Sequence, residues 1–149
     1  MKFILFTILI IATFILSCNS YNNTEREAMI KAATQFLEVV KTNDTSRVKS
    51  MLLYGLTNND NFGFAYNVNS ASEAINKYGI PQSEKISLDS SVHNVPTTIA
   101  VIFPLYLATN PEDEFQKAVT KVFVQKISGE YKIVFFSNEF QNKITPIEQ

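Results

Sequence analysis

From residue 84 the hydrophobic period of this chain changes to two, and that change limits its fold more than any other feature. Upstream, apolar residues recur at helical spacing. Met29, Ala32, Ala33, Phe36, Leu37 and Val40 fall on one stripe, with Lys31, Gln35, Glu38 and Lys41 away from it. Thr24-Glu25-Arg26-Glu27 just ahead has the spacing of a capping box, in which Thr24 accepts from a backbone N–H three residues on and Glu27 reaches back. The pattern predicts a helix over 24–41. Asn43-Asp44 then turns the chain, and Val48, Met51 and Leu52 mark a shorter helix over 45–53 with Asp44 or Thr45 as its N-cap. A third helix is punctuated by Ser70 as N-cap, Glu73 three residues later, and Gly79 and Pro81 as stop signals. Ahead of it, Thr57-Asn58-Asn59-Asp60-Asn61 reads as a loop. Phe62, Phe64 and Tyr66 alternate about Gly63 and Ala65, as in a short strand or an aromatic lid.

Downstream the period is two. Ile86, Leu88, Ser90 and Val92 alternate with Ser87, Asp89, Ser91 and His93, the pattern of a half-buried strand. Residues 97–109 are apolar on both faces, which suits a central strand. Pro104 within them predicts a bulge, because proline cannot donate to a ladder. Residues 115–127 form a long strand, Ser128-Gly129-Glu130 a tight turn, and 131–136 the return strand. Regular patterning fades from Asn138, so the domain is drawn as 24–140 with a frayed tail over 141–149. Helices followed by consecutive antiparallel strands make an α+β domain. The expected form is N-terminal helices packed on one face of a curled four- to five-stranded antiparallel sheet.

This order of elements, with the stretch QFLEVVKTNDTSRVKSML in which a long helix passes through a turn into a short one, resembles the cone-shaped fold of nuclear transport factor 2 and ketosteroid isomerase. The resemblance spans nearly the whole mature chain. It implies a cavity between helices and sheet, and pairing of two copies through the sheet as a homodimer.

The N-terminus carries a separate message. Lys2 is followed by the mostly apolar run Phe3 to Leu16 and then by the small Ser17, the anatomy of an export signal. The run is shorter than the roughly 20 residues a membrane-crossing helix needs. Ile15-Leu16-Ser17-Cys18 resembles the lipobox of bacterial lipoproteins. In that family the cysteine thiol receives a diacylglycerol, signal peptidase II cleaves before it, and the freed amine is often acylated as well. The resemblance implies removal of residues 1–17, lipidation of Cys18, and attachment of the domain to the membrane through two or three acyl chains, enough for a stable anchor. Residues 18–23 then hold the lipidated cysteine and a polar tether. Asn19, where some enteric lipoproteins carry the aspartate that retains them in the inner membrane, implies an outer membrane facing the periplasm. The expected address is the bacterial cell envelope.

Several chemistries lack their parts. The chain has one cysteine and one histidine, so neither an internal disulfide nor a His/Cys zinc site can be built. Net charge is −1, and −2 once Lys2 is removed, which leaves no basic footprint for nucleic acid. Glu112-Asp113-Glu114 lacks the ligand spacing and the glycine of a calcium loop. No Gly-x-Ser-x-Gly elbow or phosphate-cradling loop occurs among the four glycines. Asp89 and His93 lie four positions apart on one strand, roughly 13 Å at about 3.3 Å per residue, too far for an acid–base pair. Asp60, Tyr54 and Tyr66 could together line the mouth of a cavity, with Asp60 as base and a tyrosine as donor; each also suits a turn or packing role. Lys117, Lys121, Lys126 and Lys132 read as a solvated sheet edge.

The expected protein is thus a lipid-anchored, non-catalytic domain that needs no cofactor or metal, has no catalytic residue set, and binds a protein partner or a small apolar ligand. A small ketosteroid-isomerase-like enzyme and an interaction or immunity-type factor are the alternatives. An enzyme requires a deep pocket with convergent ionisable groups. A protein binder requires an exposed apolar patch, expected on the sheet face around Val119 and Phe123.

Overall fold

Helix α1, Asn23–Lys41, is the longest helix described and carries one side of the core. Met29, Ala33, Phe36, Leu37 and Val40 are fully buried along it. The structure, a computed structural model, describes residues 21–55, 61–91, 97–107 and 115–142. The cap of α1 is not Thr24. Asn22 holds extended backbone and its side chain accepts from the Glu25 N–H at 2.8 Å, placing Thr24 inside the first turn. An asparagine two residues earlier outcompetes the threonine because Asn caps at least as well. The stretch drawn as a tether over 18–23 is therefore partly domain. Asn22 and Asn23 belong to the helix start, and Tyr21 packs against the core.

Helix α2, Thr45–Ser50, is capped by the Asp44 side chain, which accepts from the Arg47 N–H at 3.0 Å. It ends sooner than residue 53. Leu52 leaves the helix to bridge Ile133, and the Leu53 N–H donates to the Ile133 carbonyl at 2.7 Å. Helix α3, Asn61–Tyr78, overturns two expectations. The alternating Phe64 and Tyr66 lie within a helix, not a strand or lid, and Ser70 is mid-helix, not a cap. The alternation spans too few residues to carry a strand. Phe64, Val68, Ala71 and Ile75 instead recur at helical spacing and bury together. Gly79, at φ +81°, ends α3 as expected, donating to the Ile75 carbonyl at 2.8 Å.

A 3-10 turn, Ser83–Lys85, leads into the sheet, whose order is β1-β2-β3-β4 and wholly antiparallel. Strand β1 is only Ser87–Asp89, shorter than the pattern from residue 86 suggests. Strands β2 (Thr98–Leu107), β3 (Phe115–Ile127) and β4 (Glu130–Asn142) follow. The bulge predicted at Pro104 is present, between Pro104 and Tyr106. A second, between the Phe123–Phe135 and Val124–Ile133 pairs, leaves Val134 as an extra residue on β4. Bulges of this kind bend the sheet and increase its twist. Ser128 and Gly129 both take positive φ, the geometry of a two-residue hairpin turn that matches strand twist. Strand β4 continues to Asn142, so 138–142 pair with β3 where fraying was expected; polar residues there hid a strand whose partner supplies the ladder.

The three helices pack on one sheet face. Val101, Phe103, Val122, Val124 and Phe136 fill the space beneath α1 and α3. Phe136 meets Phe36 at 5.3 Å and Phe64 at 5.7 Å, both edge to face. The α+β architecture is as expected, with four strands.

Candidate functional site

The middle of the layer between helices and sheet is filled with side chains, and the open space in that layer is at its edge, between α3 and the sheet. Phe36, Phe103, Phe136, Leu37 and Val40 are fully buried in the middle, so the described interior is apolar packing. A groove of about 420 Å³ runs along the flank of α3 and over the far ends of β3 and β4. Its α3 side is Tyr66, Ser70, Glu73, Ala74, Lys77 and Tyr78, a stripe at helical spacing. Ala118 and Phe140, cross-strand partners on the helix-facing side of the sheet, complete it.

The shape follows from side-chain size. Ala74 and Ala118 are the small residues of the lining and leave the depression, whereas Tyr66, Tyr78 and Phe140 wall it. Tyr78 is held in place by stacking on Tyr106, centroids 4.6 Å apart and planes 18° from parallel. Lys77 Nζ stands 5.2 Å from the Tyr78 ring centroid. Glu73 accepts from the Asn69 side-chain amide at 2.8 Å. Tyr66 is 66% exposed, so its ring is a wall without a cover among the described residues. The volume is within the roughly 300–1,000 Å³ of small-molecule sites, and the lining has their usual make-up of aromatic surface with a few polar groups.

The other singled-out residues are scattered. Tyr54 is exposed on the opposite side of the sheet, where its hydroxyl donates to Gln125 Oε1 at 2.9 Å; it does not meet Tyr66. Asp89 ends β1 and accepts from the Ser91 N–H and hydroxyl at 2.8 and 2.6 Å, a local turn role. Cys18, Asp60, His93 and Glu112 to Glu114 lie outside the described residues. No group of three potential metal-ligating His, Cys, Asp or Glu side chains occurs among the described residues. None of the described helices is long and apolar enough to cross a membrane.

Of the four lysines only Lys132 sits on an edge strand, β4. Lys117, Lys121 and Lys126 lie on β3, between β2 and β4, and two faces share them. Lys117 and Lys121 pair with Glu139 on the outer face, and Lys126 reaches Glu25 of α1 at 2.9 Å. Lys132 pairs with Glu130. These contacts explain the perturbed titrations. The Lys121 hydrogen bond holds the Glu139 carboxyl below its usual range, Lys132 does the same for Glu130, and Glu25 holds Lys126 up. Burial, then the Glu25 charge, pushes the Tyr131 phenol up. All four groups belong to surface ion pairs or their neighbours, not to the groove.

The expected patch around Val119 and Phe123 differs in its centre. Val119 is buried at 4% exposure between its cross-strand neighbours Pro104 and Glu139, whereas Phe135 stacks on Phe123 at 4.5 Å and is 48% exposed. Reading residues 61–69 as helix would have exposed the Tyr66-Ser70-Glu73-Lys77 stripe; Phe140 carried no such signal. Comparison with known proteins returns no matching family model, no matching curated protein and no matching solved structure.

Proposed function

We propose that this chain is a lipid-anchored protein of the bacterial cell envelope whose domain, a cone of the nuclear transport factor 2 type, is a non-catalytic binding module. The groove beside α3 is its ligand site. The single observation that carries the binding reading is the pairing of a filled interior with an open, aromatic-walled groove. Ring surfaces at Tyr66, Tyr78 and Phe140 favour a ligand with a flat apolar part, and Ser70, Glu73 and Lys77 offer it polar ends. The anchor rests on Lys2, the apolar run and the Ile15-Leu16-Ser17-Cys18 lipobox.

Two experiments test the two halves. Palmitate labelling of wild type against Cys18→Ala tests the anchor; equal labelling sinks it. A thermal-shift screen of ring-bearing small metabolites, repeated on Tyr66→Ser, tests the groove. A hit is expected to raise the wild-type midpoint and to lose that effect in the variant; an undiminished shift moves the ligand elsewhere. The Phe123–Phe135 stack favours a second reading, a protein partner on the outer sheet face. Photo-crosslinking from position 135 in intact cells, with position 66 as comparison, tells the two apart.

A further inference from the structure

We infer that the domain stands on the membrane by one end, with the first turn of α1 and the β3–β4 turn facing lipid headgroups and the groove opening at the opposite end. This rests on the anchor proposed above. Its basis is the shortness of the link. The lipobox places the acyl chains on Cys18, and Tyr21 already packs against the core beside Tyr131. Asn19 and Ser20 alone intervene. Three Cα–Cα steps of 3.8 Å give a maximum span of roughly 11 Å from the anchored residue to the docked one. A link of that length leaves the domain no freedom to present an arbitrary face.

What lies around Tyr21 is therefore what the bilayer meets. Asn22 caps α1 directly after it. Glu25 in the first turn holds Lys126 at 2.9 Å, and Arg26 donates to the Ser83 and Ile86 carbonyls at 3.0 and 2.8 Å. The Ser128-Gly129 turn begins two residues beyond Lys126. At the other extreme, Ala118 of the groove is eight residues from Lys126 along β3, about 26 Å at the rise of a strand. The C-terminal end of α1 is similarly remote, since its 19 residues span about 28 Å.

Charge does not provide the orientation. Lys126 is held by Glu25 and Lys132 by Glu130, Lys85 follows Glu84, and Arg26 is balanced by the adjacent Glu27, so this end has no cationic excess to pull it toward anionic lipid. The tether is the determinant, and the partner surface is a neutral, zwitterionic headgroup layer.

The full-length lipidated protein, reconstituted in phosphatidylcholine vesicles with a headgroup-nitroxide lipid, tests this. Thr24→Cys and Lys41→Cys each carry a maleimide fluorophore; both sites are exposed on α1, and the thioether-linked Cys18 does not react. Quenching at position 24 is expected to exceed that at position 41 by about two-fold or more, from the roughly 26 Å rise between them. Adding anionic lipid should leave that ratio unchanged. Inserting about 12 Gly/Ser residues after Ser20, worth roughly 20 Å of added reach, should bring it toward one. Ala28→Cys repeats the proximal measurement should Thr24→Cys disturb the helix start. Equal quenching at both positions, or a ratio the insertion leaves untouched, overturns the orientation while the anchor stands. A Cys18 that reacts with maleimide in the wild type overturns the anchor and the orientation together.

Discussion

The two faces of the sheet are made from the same strands and the same kinds of residue, yet they have opposite fates. On the inner face Phe103, Val122 and Phe136 disappear under α1 and α3. On the outer face Phe123 and Phe135 stack on each other with no described element above them, and Lys117, Lys121 and Glu139 flank them. Strand alternation sends every second residue to each side; the helices choose which side becomes core. The difference teaches that apolar content along a strand is no measure of its contribution to stability. An inner phenylalanine is enclosed by partners on all sides, whereas an outer one has half of its surface in water.

Truncating one aromatic from each face tests the difference between them most strongly. Phe136→Ala should cost about 3–5 kcal/mol, since it empties a site bordered edge-on by Phe36 and Phe64. A urea midpoint read at constant m reports it; a cost as small as that of an exposed residue would mean that the inner face is not the core. Next comes the polar link on the same face. The Thr120 hydroxyl donates to Asn138 Oδ1 at 2.9 Å, and Asn138 Nδ2 donates to the Asn67 carbonyl at 2.7 Å, tying β3 and β4 to α3. Asn138→Ala removes both bonds at once and should cost about 1–3 kcal/mol, because fully buried Thr120 loses its acceptor.

Phe135→Ala should cost less, about 1 kcal/mol, the value of an aromatic pair at a half-exposed site. The same denaturation series measures it, and a loss equal to that of Phe136→Ala would place hidden cover over the outer face. The smallest effect is electrostatic. Glu139 has a folded pKa depressed below its ordinary value, so its contribution is present above the usual carboxylate range and fades as pH falls through the depressed value. With its side chain 46% exposed, the contribution should stay below about 1 kcal/mol and shrink in salt. Stability of wild type against Glu139→Gln, followed from neutral to acid pH at low and high salt, checks both the sign and the salt dependence.

Much of this arrangement was legible in advance, for identifiable reasons. Helix α1 declares itself through a stripe from Met29 to Val40, and the β3–β4 hairpin through its two-residue turn at Ser128-Gly129. Pro104 announces a bulge because its nitrogen has nothing to donate. Each is a signal carried within a few neighbouring residues. The elements that depart from local pattern are set by distant partners. The start of α3 looked like alternation because three aromatics happened to sit two apart, and only packing on Phe136 shows that Phe64 belongs to a helical stripe. The end of α2 is set by Ile133, some eighty residues away in sequence. The groove was illegible for the same reason: Ala118 and Phe140 reach Ala74 only through the fold.

By itself, then, the sequence determined the class of fold and the antiparallel pairing of its later strands, and it carries the lipobox-like Ile15-Leu16-Ser17-Cys18 on which the proposed anchor rests, because periodicity, turn chemistry and residue inventory are local properties. The tertiary structure alone decided that side chains fill the middle of the layer between helices and sheet, that the open space lies at its edge beside α3, and that Tyr21 packs on the core. Those facts depend on which side chains meet across long stretches of chain, and burial is settled by the neighbours a residue acquires, not by those it is born beside.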